Sequence, residues 1–206
     1  MEATNDAALT RARTLPGVVP ATALPYVVRG WRTGIEALDG ILPQGVPRGR
    51  LVEWAGPRTS GKGAALASLV STVLGSGEGG RGGKGVAYVH AVGTLAPRSW
   101  ALGTVSAGGV GSAARAARAA RAGGAAGAPF WVVRVPDERE GWEAVDVVLR
   151  MGVFGLVVSE GAPPPKVALR LERLARSSGA AWVVVVERAN TVPGAALRAQ
   201  FALAER

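Results

Sequence analysis

The chain has 206 residues, 48% of them hydrophobic and 19% charged, which is enough apolar material for one cored domain and rules out global disorder. It has no cysteine and one histidine, so disulfides, thiolate metal sites, thiol nucleophiles and multi-histidine metal centres are excluded. Lysine plus arginine outnumber aspartate plus glutamate by 24 to 15, a formal charge of +9 that suits a polyanionic or acidic partner.

No apolar run reaches the roughly 20 residues of a membrane-spanning helix, and the polar, acidic start has no secretory hydrophobic segment. A cytoplasmic protein is expected. Residues 1–30 carry Pro16, Gly17, Pro20 and Pro25 among small residues, a density that hinders helix and predicts an extended arm. From Val27 onward, short β-branched runs alternate with amphipathic stretches. LVEWA (51–55), GVAYVH (85–90), FWVVRV (130–135), FGLVVS (154–159) and AWVVVV (181–186) read as strands. An unbroken apolar run such as Val183 to Val186 implies burial on both faces, as in a parallel sheet covered by helices.

Between the strands, 62–74, 138–150 and 166–178 read as helices. Trp142, Val145, Val148 and Leu149 share one face of the second, and Val167, Leu171 and Leu174 share one face of the third. The alternation predicts an α/β domain with a mainly parallel, twisted sheet, helices on both faces and right-handed crossovers. Residues 75–85 form a glycine-rich connection. Residues 111–122 form an Ala/Arg helix candidate with almost no large apolar residue to dock it. The last segment, 194–206, reads as a short helical tail with Leu197, Phe201 and Leu203 on its apolar edge; it either binds a partner or closes the sheet. The expected division is an arm over 1–30, a core over 31–193 and that tail.

The sharpest motif is GPRTSGKG, Gly56 to Gly63, directly after a predicted strand and before a predicted helix. In that context the backbone N–H groups of Gly56, Ser60, Gly61 and Gly63 cradle a phosphate, and Lys62 neutralises its oxygens. The motif asks for a hydroxyl after the lysine to ligate Mg²⁺, and Gly63 has none. At the end of the 154–159 strand, the natural metal position is Ser159, a neutral group, and Glu160 is expected to point to the other face. No acid lies near the end of strand 85–90, where His90 is expected to be structural. With these parts absent, a non-hydrolysing relic with at most weak nucleotide binding is expected, with neither a catalytic residue nor a metal site nor a required cofactor.

The string WRTGIEALDGILPQGVPRGRLVEWAGPRTSGKG (31–63) resembles the opening of the RecA/KaiC-like recombinase core, with its Thr-Gly-x-x-x-Leu-Asp segment leading into the first P-loop strand. GVAYVHAVGTLAP (85–97) is similar to the strand that carries the catalytic glutamate, which would fall at Val92. VPDEREGWEAVDVVLRMGVFGLVVSE (135–160) is similar to the helix and Walker B strand, with Ser159 at the aspartate position. AWVVVVERA (181–189) is similar to the strand that ends in a sensor pair, replaced here by Glu187 and Arg188. A five-residue turn, 161–165, stands where RecA has a long DNA-binding loop, and fewer than twenty residues follow Arg188. Within the superfamily the chain is most similar to the ImuA group of short, degenerate RecA-like proteins. That resemblance implies a RecA-like P-loop core and a nucleoid-associated accessory role in SOS translesion mutagenesis. The implied partners are RecA and the ImuB-like polymerase homologue, with modulation or inhibition of RecA filaments. The alternatives are a SulA-like cell-division inhibitor, a weak P-loop ATPase and a basic DNA-binding module.

Arg115, Arg118 and Arg121 share one broad side of their helix candidate and read either as a nonspecific DNA contact or as solvated charge. Arg29, Arg32, Arg48 and Arg50 flank the entry to the first strand with the same two readings. Trp54, Trp131 and Trp182 lie in predicted strands and are expected in the core. Trp31 and Trp100, nearer segment ends, belong either to the core or to an interface.

Overall fold

A computed structural model describes residues 30–76, 84–90, 128–189 and 191–202. Six strands form one sheet in the order β3-β2-β4-β5-β1-β6: β1 Leu51–Ala55, β2 Gly85–His90, β3 Phe130–Arg134, β4 Phe154–Glu160, β5 Ala181–Val186 and β6 Leu197–Gln200. Every pairing between them is parallel. Among the described residues, four helices accompany the sheet: α1 Glu36–Ile41, α2 Lys62–Gly75, α3 Glu138–Met151 and α4 Pro165–Ser178.

Two apolar layers result. Val52, Trp54, Val86, Tyr88, Leu156, Val158, Val183 and Val185 face α2. Leu51, Ala55, Ala87, Val89, Val157, Trp182 and Val184 face α3 and α4. The chain runs from β1 through α2 to β2, passing β5 and β4, and then returns stepwise from β3 to β4 to β5. Right-handed crossovers in opposite directions along a sheet place their helices on opposite faces. β1, β2 and β5 are buried along their whole length, as the unbroken apolar run of β5 predicts for that strand.

The segment before β1 is built around one carboxylate. Asp39 in α1 accepts from the Thr33 N–H at 2.7 Å, the Thr33 hydroxyl at 2.9 Å and the Gly34 N–H at 3.2 Å, which accounts for the Thr-Gly-x-x-x-Leu-Asp spacing. Trp31 and Val46 form an antiparallel bridge that places the Trp31 ring in the core, and its indole donates to the Gly155 carbonyl at 2.9 Å. Asp137 caps α3 by accepting from the Glu140 N–H at 2.8 Å.

Two expectations are corrected. The C-terminal segment is not helical over its described part: 197–200 form β6, an edge strand on β1, and Leu197 and Phe201 pack on the α2-facing layer instead of presenting an apolar edge outward. Trp131 is 44% exposed, because β3 is the opposite edge strand and no helix among the described residues covers that position. The structure also adds α1, whose six residues are too short to show a clear period in the sequence. The arm, Trp100, Leu203 and the Ala/Arg helix candidate lie outside the described residues.

Glu53 secures β6. It is fully buried on β1, accepts from the Arg198 guanidinium of β6 at 2.9 Å and from the Thr191 N–H at 3.1 Å. A buried carboxylate of this kind is tolerated only while paired. Arg198→Met strands it, and a loss of about 3 kcal/mol of unfolding free energy is expected in denaturant titration. The double variant Glu53→Met/Arg198→Met is expected to recover more than half of that loss, and no recovery would show that the charge pair is not what holds the strand.

Candidate functional site

The site lies at the carboxyl ends of β1, β4 and β5, where open parallel sheets bind ligands. It is a cavity of about 630 Å³ whose wall includes Arg58, Lys62, Gly63, Glu160, Glu187 and Arg188. The loop between β1 and α2 forms its floor. Gly56 has φ 152° and Gly61, the N-cap of α2, has φ 83°, conformations that disfavour side chains. A Cβ at Gly56 would meet the Phe201 carbonyl oxygen and the Ser60 hydroxyl, so the residue that follows β6 and the loop itself leave no room for one.

Lys62 opens α2 and is buried. Its ammonium donates to the Val186 carbonyl at 2.8 Å and to the Gly56 carbonyl, tying the loop to the end of β5. The Gly56 N–H donates to the same Val186 carbonyl at 3.2 Å. Burial pulls the Lys62 ammonium below the ordinary lysine range, and the negative charges of Glu187 and Glu160 partly offset that pull. Ser60 turns its hydroxyl back onto the Pro57 carbonyl at 2.7 Å. Lys62 and Ser60 thus donate to backbone carbonyls of the loop and, for Lys62, of β5 as well.

The structure reverses the expectation for the end of β4. Ser159 is buried on the α3 and α4 side, where its hydroxyl accepts from the Trp182 indole at 3.0 Å. Glu160, one residue on, faces the cavity and accepts a hydrogen bond from the Tyr88 phenol of β2. The carboxylate that shares the P-loop cavity is therefore Glu160, and Ser159 does not mark a metal position. The physical reason is strand parity: α2 covers Val158, so residue 160 and not 159 falls on the loop's side. The GLVV run is apolar throughout and carries no sign of which parity the loop would select. Tyr88 was not anticipated for the same reason. It sits within an apolar run, and only a pairing of Tyr with the acid two strands' width of sequence later would have signalled it.

Glu187 and Arg188 do reach the cavity. Glu187 pairs with Arg58 of the loop at 3.4 Å across the mouth, with both side chains well exposed, and the Arg188 carbonyl accepts from the Thr191 hydroxyl at 3.1 Å. His90, at the end of β2, is buried with its ring centroid 5.7 Å from that of Tyr88, and neither ring nitrogen has a hydrogen-bond partner among the described residues. Val92 lies outside the described residues, as do Arg115, Arg118 and Arg121.

The loop amides and Lys62 have the donor chemistry for a phosphate. The fit to magnesium triphosphate is poorer: Gly63 supplies no hydroxyl, the Lys62 ammonium is held by two carbonyls, and the Glu160 carboxylate is engaged by Tyr88. No group of three or more His, Cys, Asp or Glu side chains among the described residues is arranged to hold a metal ion.

The all-parallel sheet, its strand order and the glycine loop between β1 and α2 define a RecA-like P-loop fold. Among solved structures, the crystal structure of the RadB recombinase is similar, with a TM-score of 0.52 and 21% identity over 76% of this chain and 69% of that one. The sequence gives no match to a family profile and none to a curated protein. No helix among the described residues is long and apolar enough to cross a membrane.

Burial, and then the bond to Glu160, push the Tyr88 phenol well above the ordinary tyrosine range. Because the folded value is the raised one, this contribution is intact below the unfolded value near about 10 and is lost as pH climbs toward the folded value. Between pH 8 and pH 11 the wild type should lose about 1.4 kcal/mol more stability than Tyr88→Phe in denaturant titrations. Equal losses would show that Tyr88 ionises as freely folded as unfolded.

Proposed function

We propose that this chain is a non-hydrolysing RecA-like accessory protein that works by docking. The observation that carries this reading is the state of the phosphate loop: Gly63 replaces the metal-binding hydroxyl, and Lys62 is spent on the Gly56 and Val186 carbonyls. A site whose cation already neutralises its own loop has little left to stabilise charge developing on a transferring phosphoryl group. The short turn after β4, with α4 starting at Pro165, and the close of the sheet at β6 leave a RecA-shaped surface without an extended loop at that point.

In the finer reading the protein belongs with the ImuA-type factors of SOS translesion mutagenesis. It binds RecA and an ImuB-like polymerase homologue and limits RecA filament growth by occupying a filament end or a protomer. The resemblance over 31–189 and the similarity to a recombinase fold support this, and nucleoid association would follow from it.

One observation favours a second reading. Glu160 lies in the cavity with Lys62, so a slow ATPase would have a carboxylate to recruit. Phosphate release from magnesium ATP by wild type, Lys62→Ala and Glu160→Gln separates the two. The docking reading expects no rate above background that depends on Lys62, and a rate that falls at least about tenfold in both variants would establish the ATPase instead. At stoichiometric ratios the protein is also expected to lower the DNA-dependent ATPase of RecA, and no effect at excess protein would remove RecA as a partner.

A further inference from the structure

The amino-terminal edge of the sheet, opposite the P-loop cavity, carries a strip of cations joined by direct contacts. Arg48 lies over the Trp31 ring at 4.5 Å, and Trp31 donates to Gly155. A Cβ at Gly155 would lie 2.9 Å from Lys84 Cβ, and the Lys84 ammonium donates to the Ser178 carbonyl at 3.3 Å. Ser178 ends α4, whose last turns carry Arg173 and Arg176. Arg176 and Arg50 both reach Glu172, at 2.9 and 3.5 Å.

Arg48, Arg50, Lys84 and Arg176 are thus brought to one edge, with Arg173 one turn earlier on α4 and Glu172 as the carboxylate that pairs with Arg50 and Arg176. Arg50 and Arg176 remain 42% and 58% exposed despite their pairing, and Arg173 is exposed. Helix-dipole complementarity accounts for cations in the last turn of α4. It does not account for Arg48, Arg50 and Lys84, which precede β1 and β2 in the loops. Around the cavity at the other edge, Glu160 and Glu187 offset two of the three cations Arg58, Lys62 and Arg188, so among the described residues the larger excess of positive charge lies at the amino-terminal edge.

We infer that this strip, Arg48, Arg50, Lys84, Arg173 and Arg176, is a docking surface for the phosphate backbone of duplex DNA. The cations lie beside strand starts and in the last turns of a helix, a setting that lets side-chain charges meet a row of phosphates. The one aromatic ring in the strip, Trp31, is buried beneath Arg48 and has no free face on which to stack a base, so single strands gain nothing there that duplex does not. Contacts of this kind carry no sequence preference. The inference is independent of the RecA reading, because it concerns the opposite edge of the sheet and needs neither nucleotide nor partner protein.

The test is fluorescence anisotropy of the full chain with a labelled 20-base-pair duplex. Raising salt from 50 to 200 mM is expected to weaken binding by roughly 100-fold, the response for about four released phosphate counterions. Lys84→Glu/Arg173→Glu is expected to weaken binding at fixed salt by at least about tenfold, and Lys84→Gln/Arg173→Gln, which nearly preserves side-chain length, by an intermediate factor. Arg139→Glu/Lys166→Glu, equal in charge change but on the opposite half of the helices, should leave affinity within about twofold. Thermal melts confirm that each variant folds. Equal losses in both charge-reversal pairs would reduce the effect to net charge and overturn the inference. So would loss confined to Arg115→Glu/Arg118→Glu/Arg121→Glu, tighter binding of a single strand of equal length, or tighter binding of polyglutamate than of duplex.

Discussion

Burial of β1, β2 and β5 on both faces is the constraint from which the rest of this structure follows. A parallel strand buried on both sides needs a helix layer above and below, and each crossover helix must then run opposite to the strands. Helix N-termini therefore gather at the carboxyl edge of the sheet and helix C-termini at the amino edge. The phosphate loop takes its place at the first edge because α2 begins there, and the cations of α4 collect at the second. The two candidate surfaces are separated by the length of the strands, so a ligand at one leaves the other open.

The same burial explains what could be read in the sequence and what could not. Five strands and three helices were legible because their apolar runs and amphipathic periods are long, and their bounds agree with the fold to within about one residue. The parity of β4 was not legible. In an alternating strand the polar residues mark the outer face, but FGLVVSE is apolar up to Ser159, and the choice between Ser159 and Glu160 as the cavity residue rests on which face α2 covers. Long-range packing decides that, and no local pattern records it.

The C-terminal segment failed for a different reason. GAALRAQFALAER has good helix formers throughout, so propensity favours a helix. Tertiary context overrides it: β1 offers a free edge, the Phe201 ring packs 5.3 Å from Trp54, and Glu53 needs a cation. The signal was present in the sequence as Glu53 itself, an acid inside an otherwise apolar strand that required a partner from elsewhere in the chain.

Lys62 sits where these packing constraints meet. An ammonium held in a place of low solvation must be satisfied at once, and the carbonyls of Gly56 and Val186 do so at the meeting point of β1 and β5. A phosphate entering the cavity would have to compete with both carbonyls and accept the nearby Glu160 and Glu187 charges. In a loop with a hydroxyl after the lysine, a bound metal would offset those carboxylates, and Gly63 removes one of its ligands. Under the docking proposal the lysine serves the fold before a ligand, and its removal is expected to loosen the junction between two central strands. On that physical ground a loop with the form of a phosphate site can also act as a structural clasp between the strands it joins.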